Sequence, residues 1–196
     1  VAGNYNKSIN SQDITAIEKN LSVLRDKAGK YYETNHVQNG KINTGITGEP
    51  IQGVINYIVW SDVFICPSCS SEFVYYDAAV DPETNKTKRE FVCPHCGLKL
   101  TKAKCSRAVK ADVDPIDGHP FEITKSVPVL INYSVNKKRF NKRPDEDDYK
   151  KINEAKPNII SLPNASFAFP DGDKTTEMFR GNIKYIWQVY KERTLF

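Results

Sequence analysis

The 196-residue sequence contains no apolar run near the roughly 20 residues that a membrane-spanning helix needs. Its first residues, VAGNYNKSINSQ, lack the apolar stretch of a secretory signal peptide. We find no Ser/His/Asp triad, no phosphate-binding glycine loop and no histidine-based metal centre. These absences predict a globular, cytoplasmic protein with no membrane partner, and they argue against the common hydrolase and nucleotide-binding classes.

Cysteine is sparse but arranged in a pattern. Cys66 and Cys69 form one Cys-x-x-Cys pair, and Cys93 and Cys96 form a second. Two such pairs, a few tens of residues apart, predict four thiolates on one tetrahedral ion, and zinc is the ion that such a site favours. Iron in a rubredoxin-like centre uses the same ligands and stays an alternative. The odd total of five cysteines argues against a disulfide framework.

A metal held by four cysteines has no open position for water or substrate, so we expect it to stabilise the fold without taking part in chemistry. His95 lies inside the second pair, which already has its two ligands, and is not expected to bind the metal. His36 and His119 lie in polar, turn-rich segments and are expected to be solvated. Cys105 is expected to be a half-buried packing residue or a spare thiol.

The pattern of apolar and turn residues predicts an α+β fold with antiparallel β structure and a helix near each end. We expect a helix from Asp13 to Tyr31, capped by Ser11 or Asp13, because apolar residues recur there at steps of three and four: Ile14, Ile17, Leu21, Leu24 and Ala28. A glycine- and asparagine-rich loop follows, and then strand-like residues in VINYIVWSDVFICP. We expect EFVYYDAAV and REFVC to form the strands of a zinc ribbon spanning about 64–104.

The second half predicts a hairpin, VPVLINYSVNKKRFNKRP, that turns at Asn136, Lys137 and Lys138. The acids that follow Pro144 are best explained as the first turn of a helix. A last helix is expected from about Thr175 to Arg193. The domains are therefore expected to be a helix and loop at 1–53, the zinc ribbon module at 54–110, and the hairpin with a C-terminal helical part at 111–196.

Basic residues cluster in two places. Lys99, Lys102, Lys104 and Arg107 follow the second cysteine pair, and Lys137, Lys138 and Arg139 lie at the hairpin, with Lys142 and Arg143 just beyond. Clustered cations on a zinc-stabilised scaffold favour contact with phosphates, because binding releases counterions. These seven residues from Lys99 to Arg139 are the candidate DNA-binding residues. A solvated surface balanced by the acids at 145–148 is the alternative.

Several segments, taken in order, resemble the middle region of bacterial adenine-specific DNA methylases that carry an internal zinc ribbon. The resemblance covers about Val54 to Phe196 and rests on INYIVWSDVFICPSC, FVYYDAAVDPET, EFVCPHCGLKLTK, VPVLINYSV with KKRFNKRPDEDD, and VYKERTLF. It implies an N6-adenine methyltransferase that uses S-adenosylmethionine, and it transfers Cys66, Cys69, Cys93 and Cys96 as zinc ligands. It also favours excision from a larger chain over initiator removal as the reason for a start at Val1.

The catalytic motifs that the resemblance implies are missing from this sequence. The family's Asp-Pro-Pro-Tyr type motif and its cofactor loop are absent, and DPID at 114–117 lacks the second proline and the aromatic residue. We therefore expect no catalytic residue, and S-adenosylmethionine only in the full-length enzyme. The favoured hypothesis is a DNA-contacting segment with DNA and the rest of the methyltransferase as partners. The alternatives are a zinc-ribbon scaffold or protein-interaction module, and an independent iron-based electron carrier.

Overall fold

The structure is a computed structural model that describes residues 10–81, 84–155, 167–180 and 183–189. Its helices are α1 (Ser11–Ala28), α2 (Tyr75–Ala79), α3 (Glu146–Glu154) and α4 (Thr176–Arg180). Its strands are β1 (Glu33–Asn35), β2 (Val37–Gln38), β3 (Lys41–Ile42), β4 (Gln52–Ile65), β5 (Glu72–Val74), β6 (Glu90–Val92), β7 (Lys99–Thr101), β8 (Ser106–Arg107), β9 (Val109–Val113), β10 (Pro120–Thr124), β11 (Ser126–Val135) and β12 (Lys138–Lys142). Short 3₁₀ turns cover Gly29–Tyr32, Lys102–Lys104 and Ile186–Val189. The predicted α+β class is confirmed.

Strand β4 organises the molecule. The main sheet has the order β1-β4-β11-β12, and β5 and β8 pair with the far end of β4. The strands pair antiparallel, as the sequence predicts. Because β4 has 14 residues, it reaches from the hairpin-bearing sheet to the cysteine-rich module. The β9–β10, β2–β3 and β6–β7 pairs form three smaller two-stranded sheets.

Tyr133 is the centre of the main-sheet core. It is fully buried beside Ile55 and Ile131. Its hydroxyl accepts a hydrogen bond from the Val37 backbone amide at 3.0 Å and lies 3.0 Å from Nδ1 of His36. The expectation that His36 is solvated is therefore wrong, because the tyrosine gives the buried imidazole a polar partner.

The aromatic ring of Tyr133 also explains why the neighbouring strand has a glycine, Gly53, beside it. A Cβ atom on Gly53 would lie only 2.4 Å from Cδ2 of Tyr133. Strand β4 therefore needs a residue without a side chain here, since the ring occupies the space.

A buried polar cluster joins the hairpin to α3. Lys142, whose side chain is only 4% exposed, places its Nζ 2.6 Å from Asp145 and 2.8 Å from Asp148. Asp148 also accepts a hydrogen bond from the Thr34 hydroxyl of β1. Asp145 is the N-cap of α3 and exchanges capping-box hydrogen bonds with Asp148, so the prediction that these acids begin a helix is confirmed. Lys142 itself is buried and does not belong to the surface basic group.

The cysteine-rich module contains one element that the sequence prediction assigned wrongly. The segment EFVYYDAAV is strand only over Glu72–Val74, and Tyr75–Ala79 forms the single helical turn α2. A helical turn places Tyr75 and Ala79 on one side, four residues apart, where Ala79 is fully buried and Tyr75 contacts Phe64 and Phe91. REFVC does contain a strand, β6, but β6 pairs with β7 and β5 pairs with β4. The expected hairpin between EFVYYDAAV and REFVC is therefore wrong.

The first helix is confirmed with a different cap. Asn10 is the N-cap, and Asp13 is the third residue of the helix and completes a capping box. Gly29 ends the helix near the predicted place. The loop that follows contains the small β2–β3 hairpin, whose turn residues Asn39 and Gly40 both have positive φ.

The predicted β11–β12 hairpin is confirmed, with Asn136 and Lys137 as the turn residues at φ 48° and 66°. The continuous helix from Thr175 to Arg193 is wrong. Helix α4 ends at Arg180, and Tyr185 forms a β-bridge with Ala168 before a separate 3₁₀ turn. Gly181 follows α4 in the sequence and disfavours continuation of the helix. Residues 190–193 lie outside the described part of the chain.

Within the described ranges, no helix has the length and apolar character to cross a membrane. The division of the chain into three domains stays a prediction.

Replacing Lys142 by Met should lower the free energy of unfolding by about 3 to 5 kcal/mol, because Asp148 would be left buried without its cationic partner. Chemical denaturation monitored by circular dichroism measures the change. Lys150→Met is the matched control, because the Lys150 side chain is 73% exposed and its ion pair with Glu154 is long, at 4.0 Å. It should change stability by less than about 0.5 kcal/mol. Equal effects of the two substitutions would contradict the importance of the buried cluster.

Candidate metal centre

Four cysteine sulfurs converge at one end of the molecule. The ligand atoms of Cys66, Cys69, Cys93 and Cys96 all lie within 4.8 Å of one another. The Cys66 and Cys96 sulfurs are 3.7 Å apart, and those of Cys69 and Cys93 are 3.9 Å apart. A tetrahedral ion with zinc–sulfur bonds of about 2.3 Å separates its sulfurs by about 3.8 Å. The four cysteines are therefore close enough to hold a metal ion such as zinc.

The two cysteine turns have the same backbone hydrogen bonds. In the first, the Cys66 amide donates to Ser71 at 3.0 Å, and the Cys66 carbonyl accepts from the Ser70 amide at 2.9 Å. In the second, the Cys93 amide donates to Leu98 at 2.9 Å, and the Cys93 carbonyl accepts from Gly97 at 3.0 Å. Each turn therefore presents its two sulfurs in the same way to a shared centre.

Each cysteine turn requires a left-handed residue four positions after its first cysteine. Gly97 has this conformation at φ 75°, and Ser70 has it at φ 57°. The left-handed conformation is unstrained for glycine but costs a residue with a side chain about 1 to 2 kcal/mol. The first turn therefore stores strain that the second does not.

An aromatic core supports the cysteines from one side. Cys66 and Cys93 are buried among Phe64, Phe73, Phe91, Ala79 and Leu100. The Phe73 and Phe91 ring centroids are 5.8 Å apart. Because this core is small, we expect bound metal to contribute much of the stability of the module.

The thiols of the cluster do not ionise alike. Hydrogen bonds from the Ser71 side chain and backbone amide lower the pKa of Cys69 to about 6. Burial opposes ionisation of Cys93, but the backbone amides of Cys96 and His95 lower its pKa overall. The Leu98 amide favours the Cys96 thiolate, yet desolvation and the neighbouring thiols raise the pKa of Cys96 to about 11. Adjacent negative charges oppose full ionisation, and a divalent cation would remove this opposition.

The other cysteine and histidine residues considered in the sequence analysis have partners outside the four-sulfur cluster. Nε2 of His95 lies 3.0 Å from the Glu72 carbonyl oxygen, and the cysteine set is complete without it. Cys105 packs against the aromatic core, and burial raises the pKa of its thiol. His119 is exposed, as expected, and pairs with Asp117.

The first basic group lies beside the cysteine module, and its members differ in their contacts. Arg107 forms an ion pair with Asp62, with 3.0 Å between Nε and Oδ2. The Lys102 ammonium lies over the Tyr75 ring, 5.0 Å from the centroid. Lys99 and Lys104 are exposed and form no ion pair with any residue that the structure describes.

The second basic group lies at the other end of β4. Lys137, Lys138 and Arg139 are exposed and have no ion pair within the described ranges. Arg139 pairs with Ser134, and Ser134 pairs with Val54, whereas Arg107 pairs with Phe64. Val54 and Phe64 are ten residues apart along β4, which corresponds to about 33 Å at about 3.3 Å per residue.

The sequence did not predict a cavity that lies away from the cysteine cluster. A cavity of about 670 Å³ lies between the β9–β10 hairpin and the segment after α4. Asp117 and Lys184 line it and pair at 2.8 Å, and this contact lowers the pKa of Asp117 and raises that of Lys184. In the sequence, only the turn residues Asp117 and Gly118 mark this place. Nothing indicates that Lys184, 67 positions later, would pair with Asp117.

No protein-family model matches the chain, and comparisons with curated proteins and with solved structures find no match. The chemistry of the cysteine cluster therefore rests on its own geometry.

Cys66→Ser should abolish stoichiometric metal binding, because three sulfurs cannot complete the tetrahedral set, and should destabilise residues 64–107. Elemental analysis measures the metal, and hydrogen exchange with mass spectrometry measures the local stability. Cys105→Ser is the matched control and should retain the metal, since Cys105 is outside the four-sulfur cluster. Metal retained in Cys66→Ser, or protection of 64–107 unchanged by a chelator, would contradict a structural metal.

The left-handed conformation of Ser70 and Gly97 predicts that a glycine at position 70 stabilises the protein and that a side chain at position 97 destabilises it. Ser70→Gly should stabilise the protein by about 0.5 to 1 kcal/mol, and Gly97→Ala should destabilise it by a similar amount. A Cβ atom on Gly97 would meet nothing within 4 Å, so only the backbone conformation is tested there. Thermal unfolding of the metal-loaded proteins measures both changes. Effects of the same sign would contradict the strain argument.

Proposed function

We propose that this chain is a zinc-stabilised, DNA-contacting segment of an adenine-specific DNA methyltransferase and is not catalytic by itself. The single observation that carries the proposal is the position of two exposed lysines, Lys99 and Lys104, beside a closed four-cysteine centre, where neither has an ion pair in the part of the chain that the structure describes. The resemblance of the sequence to methylases with an internal zinc ribbon supplies the enzyme class. DNA and the remainder of the methyltransferase are the proposed partners.

Zinc is the proposed ion because the sulfur separations suit bonds of about 2.3 Å and all four ligands are thiolates. A site with four protein ligands has no place for a substrate. The metal therefore holds the ribbon in shape, and the ribbon holds the cations that follow it in the chain.

The positions of the two basic groups suit an extended contact with a duplex. Arg107, in the first group, and Arg139, in the second, lie in strands whose pairing positions are about 33 Å apart along β4, which is close to one turn of B-DNA, about 34 to 36 Å. Exposed lysine and arginine gain affinity from phosphates by releasing counterions, with little dependence on base sequence. A long contact of this kind would grip the backbone on both sides of a target base.

The proposed role also explains how a segment without catalytic motifs serves a base-modifying enzyme. Such enzymes extrude the target base from the duplex, which costs base pairing and stacking. A separate basic module that binds the flanking backbone would help to offset that cost. S-adenosylmethionine would be bound elsewhere in the full-length enzyme.

A zinc-ribbon scaffold or protein-interaction module is the second candidate function. It is favoured by the internal contacts of Arg107 with Asp62 and of Lys102 with Tyr75. These two cations support the packing of the ribbon, so the DNA contact depends on the other five proposed residues: Lys99, Lys104, Lys137, Lys138 and Arg139.

The proposal predicts salt-dependent binding to duplex DNA with weak sequence preference. Lys99→Gln with Lys104→Gln should lower the slope of log K against log salt by up to about 0.9 per lost phosphate contact, and so should Lys137→Gln with Lys138→Gln. Fluorescence anisotropy at several salt concentrations measures both slopes.

The matched control for these titrations is Lys19→Gln with Lys150→Gln, which removes the same charge from exposed positions outside both basic groups. It should leave the slope nearly unchanged. Absence of salt-dependent binding by the unmodified protein, or equal slopes for all variants, would contradict DNA contact and favour the scaffold. Metal content of each variant verifies that the ribbon is intact.

A further inference from the structure

The apolar face of α1 is uncovered in the described part of the chain. Ile14, Ile17, Leu21 and Leu24 are 50%, 52%, 53% and 51% exposed, and no residue of the helix is buried. The main contacts of α1 are with the 3₁₀ turn Gly29–Tyr32 that directly follows it. Four large aliphatic side chains in one row are costly to leave in water, because removing apolar surface from water is favourable.

The spacing of these side chains is that of a coiled-coil seam. From Ile14 the apolar residues follow at steps of three, four, three and four, and the last is Ala28. This repeat of 3.5 residues keeps a straight seam facing a second helix, whereas a helix packed on a globular core has a wider apolar stripe. An 18-residue helix with little tertiary contact is only marginally stable alone, so a partner helix would stabilise it.

The charges beside the seam select a second copy of the same helix, running antiparallel. The flanking positions hold Asp13 and Glu18 near the start and Arg25 and Lys27 near the end. An antiparallel pair in which Leu21 packs on the partner's Ile17 brings Asp13 against the partner's Lys27, twice per dimer. A parallel pair would instead bring Asp13 against the partner's Glu18, which is repulsive.

We propose that α1 pairs with α1 of a second copy of this chain as a short antiparallel coiled coil. Ile14 packs on the partner's Leu24 and Leu21 packs on the partner's Ile17, so four layers of Ile and Leu are buried. The two Glu18 side chains meet near the symmetry axis and repel each other. This single repulsion is opposed by two attractions, each between Asp13 and the partner's Lys27. The inference is independent of the proposed DNA contact, because α1 carries none of the seven candidate DNA-binding residues.

Sedimentation velocity of the full 196-residue chain, from about 1 to 300 μM, tests the association directly. A concentration-dependent dimer is expected. Leu21→Ser should raise the dimer dissociation constant by more than about 30-fold, since it removes two buried side chains from each dimer. Val23→Ser is the matched control: Val23 is 44% exposed on the same helix but lies outside the seam, and its replacement should leave the constant nearly unchanged.

Lys27→Glu tests the orientation of the two helices. It places a carboxylate against the partner's Asp13 and should weaken an antiparallel dimer by about tenfold at low salt, whereas a parallel dimer would be insensitive to it. Metal content and circular dichroism verify that each variant is folded. A monomer at every concentration would overturn the proposal, as would equal effects of Leu21→Ser and Val23→Ser. A dimer unaffected by Lys27→Glu would overturn the antiparallel arrangement.

Discussion

The mutual repulsion of four sulfur atoms is the constraint on which the cysteine-rich module depends. The turns that carry Cys66 and Cys93 draw all four sulfurs to within 4.8 Å of one another. At that distance four thiolates repel strongly, and a divalent cation converts the repulsion into four coordinate bonds. The aromatic core beneath is small, and one of the turns holds Ser70 in a strained conformation. We therefore propose that this module and a metal bound by its cysteines fold as one thermodynamic unit.

Strand β4 connects the cysteine module to the main sheet. Its last three residues pair with β5 and β8 of the cysteine module, and Val54 to Asp62 pair with β11 across the Tyr133 core. The buried cluster of Lys142 with Asp145 and Asp148 fixes the hairpin to α3 on the same sheet. A ribbon held by a metal would therefore place Arg107, which pairs with β4, at one end of the sheet that carries the β11–β12 hairpin at its other end.

Sequence reasoning succeeded where the determining physics is local. The cysteine spacing, the turn at Asn136 and Lys137 and the acidic start of α3 each depend on residues a few positions apart. It failed where a distant partner decides. His36 is buried because the Tyr133 hydroxyl, 97 positions away in the chain, gives it a polar partner. Similarly, Tyr75 begins a helical turn although tyrosine favours strands, because the helical geometry packs its ring against Phe64 and Phe91.

The central claim is that the four cysteines form a closed structural zinc site. X-ray absorption at the zinc edge, measured on the purified protein as isolated, tests it most directly. The account predicts one zinc ion per chain with four sulfur neighbours at about 2.3 Å and no nitrogen or oxygen neighbour. A protein without metal, iron in place of zinc, or a shell with a nitrogen or oxygen ligand would contradict it.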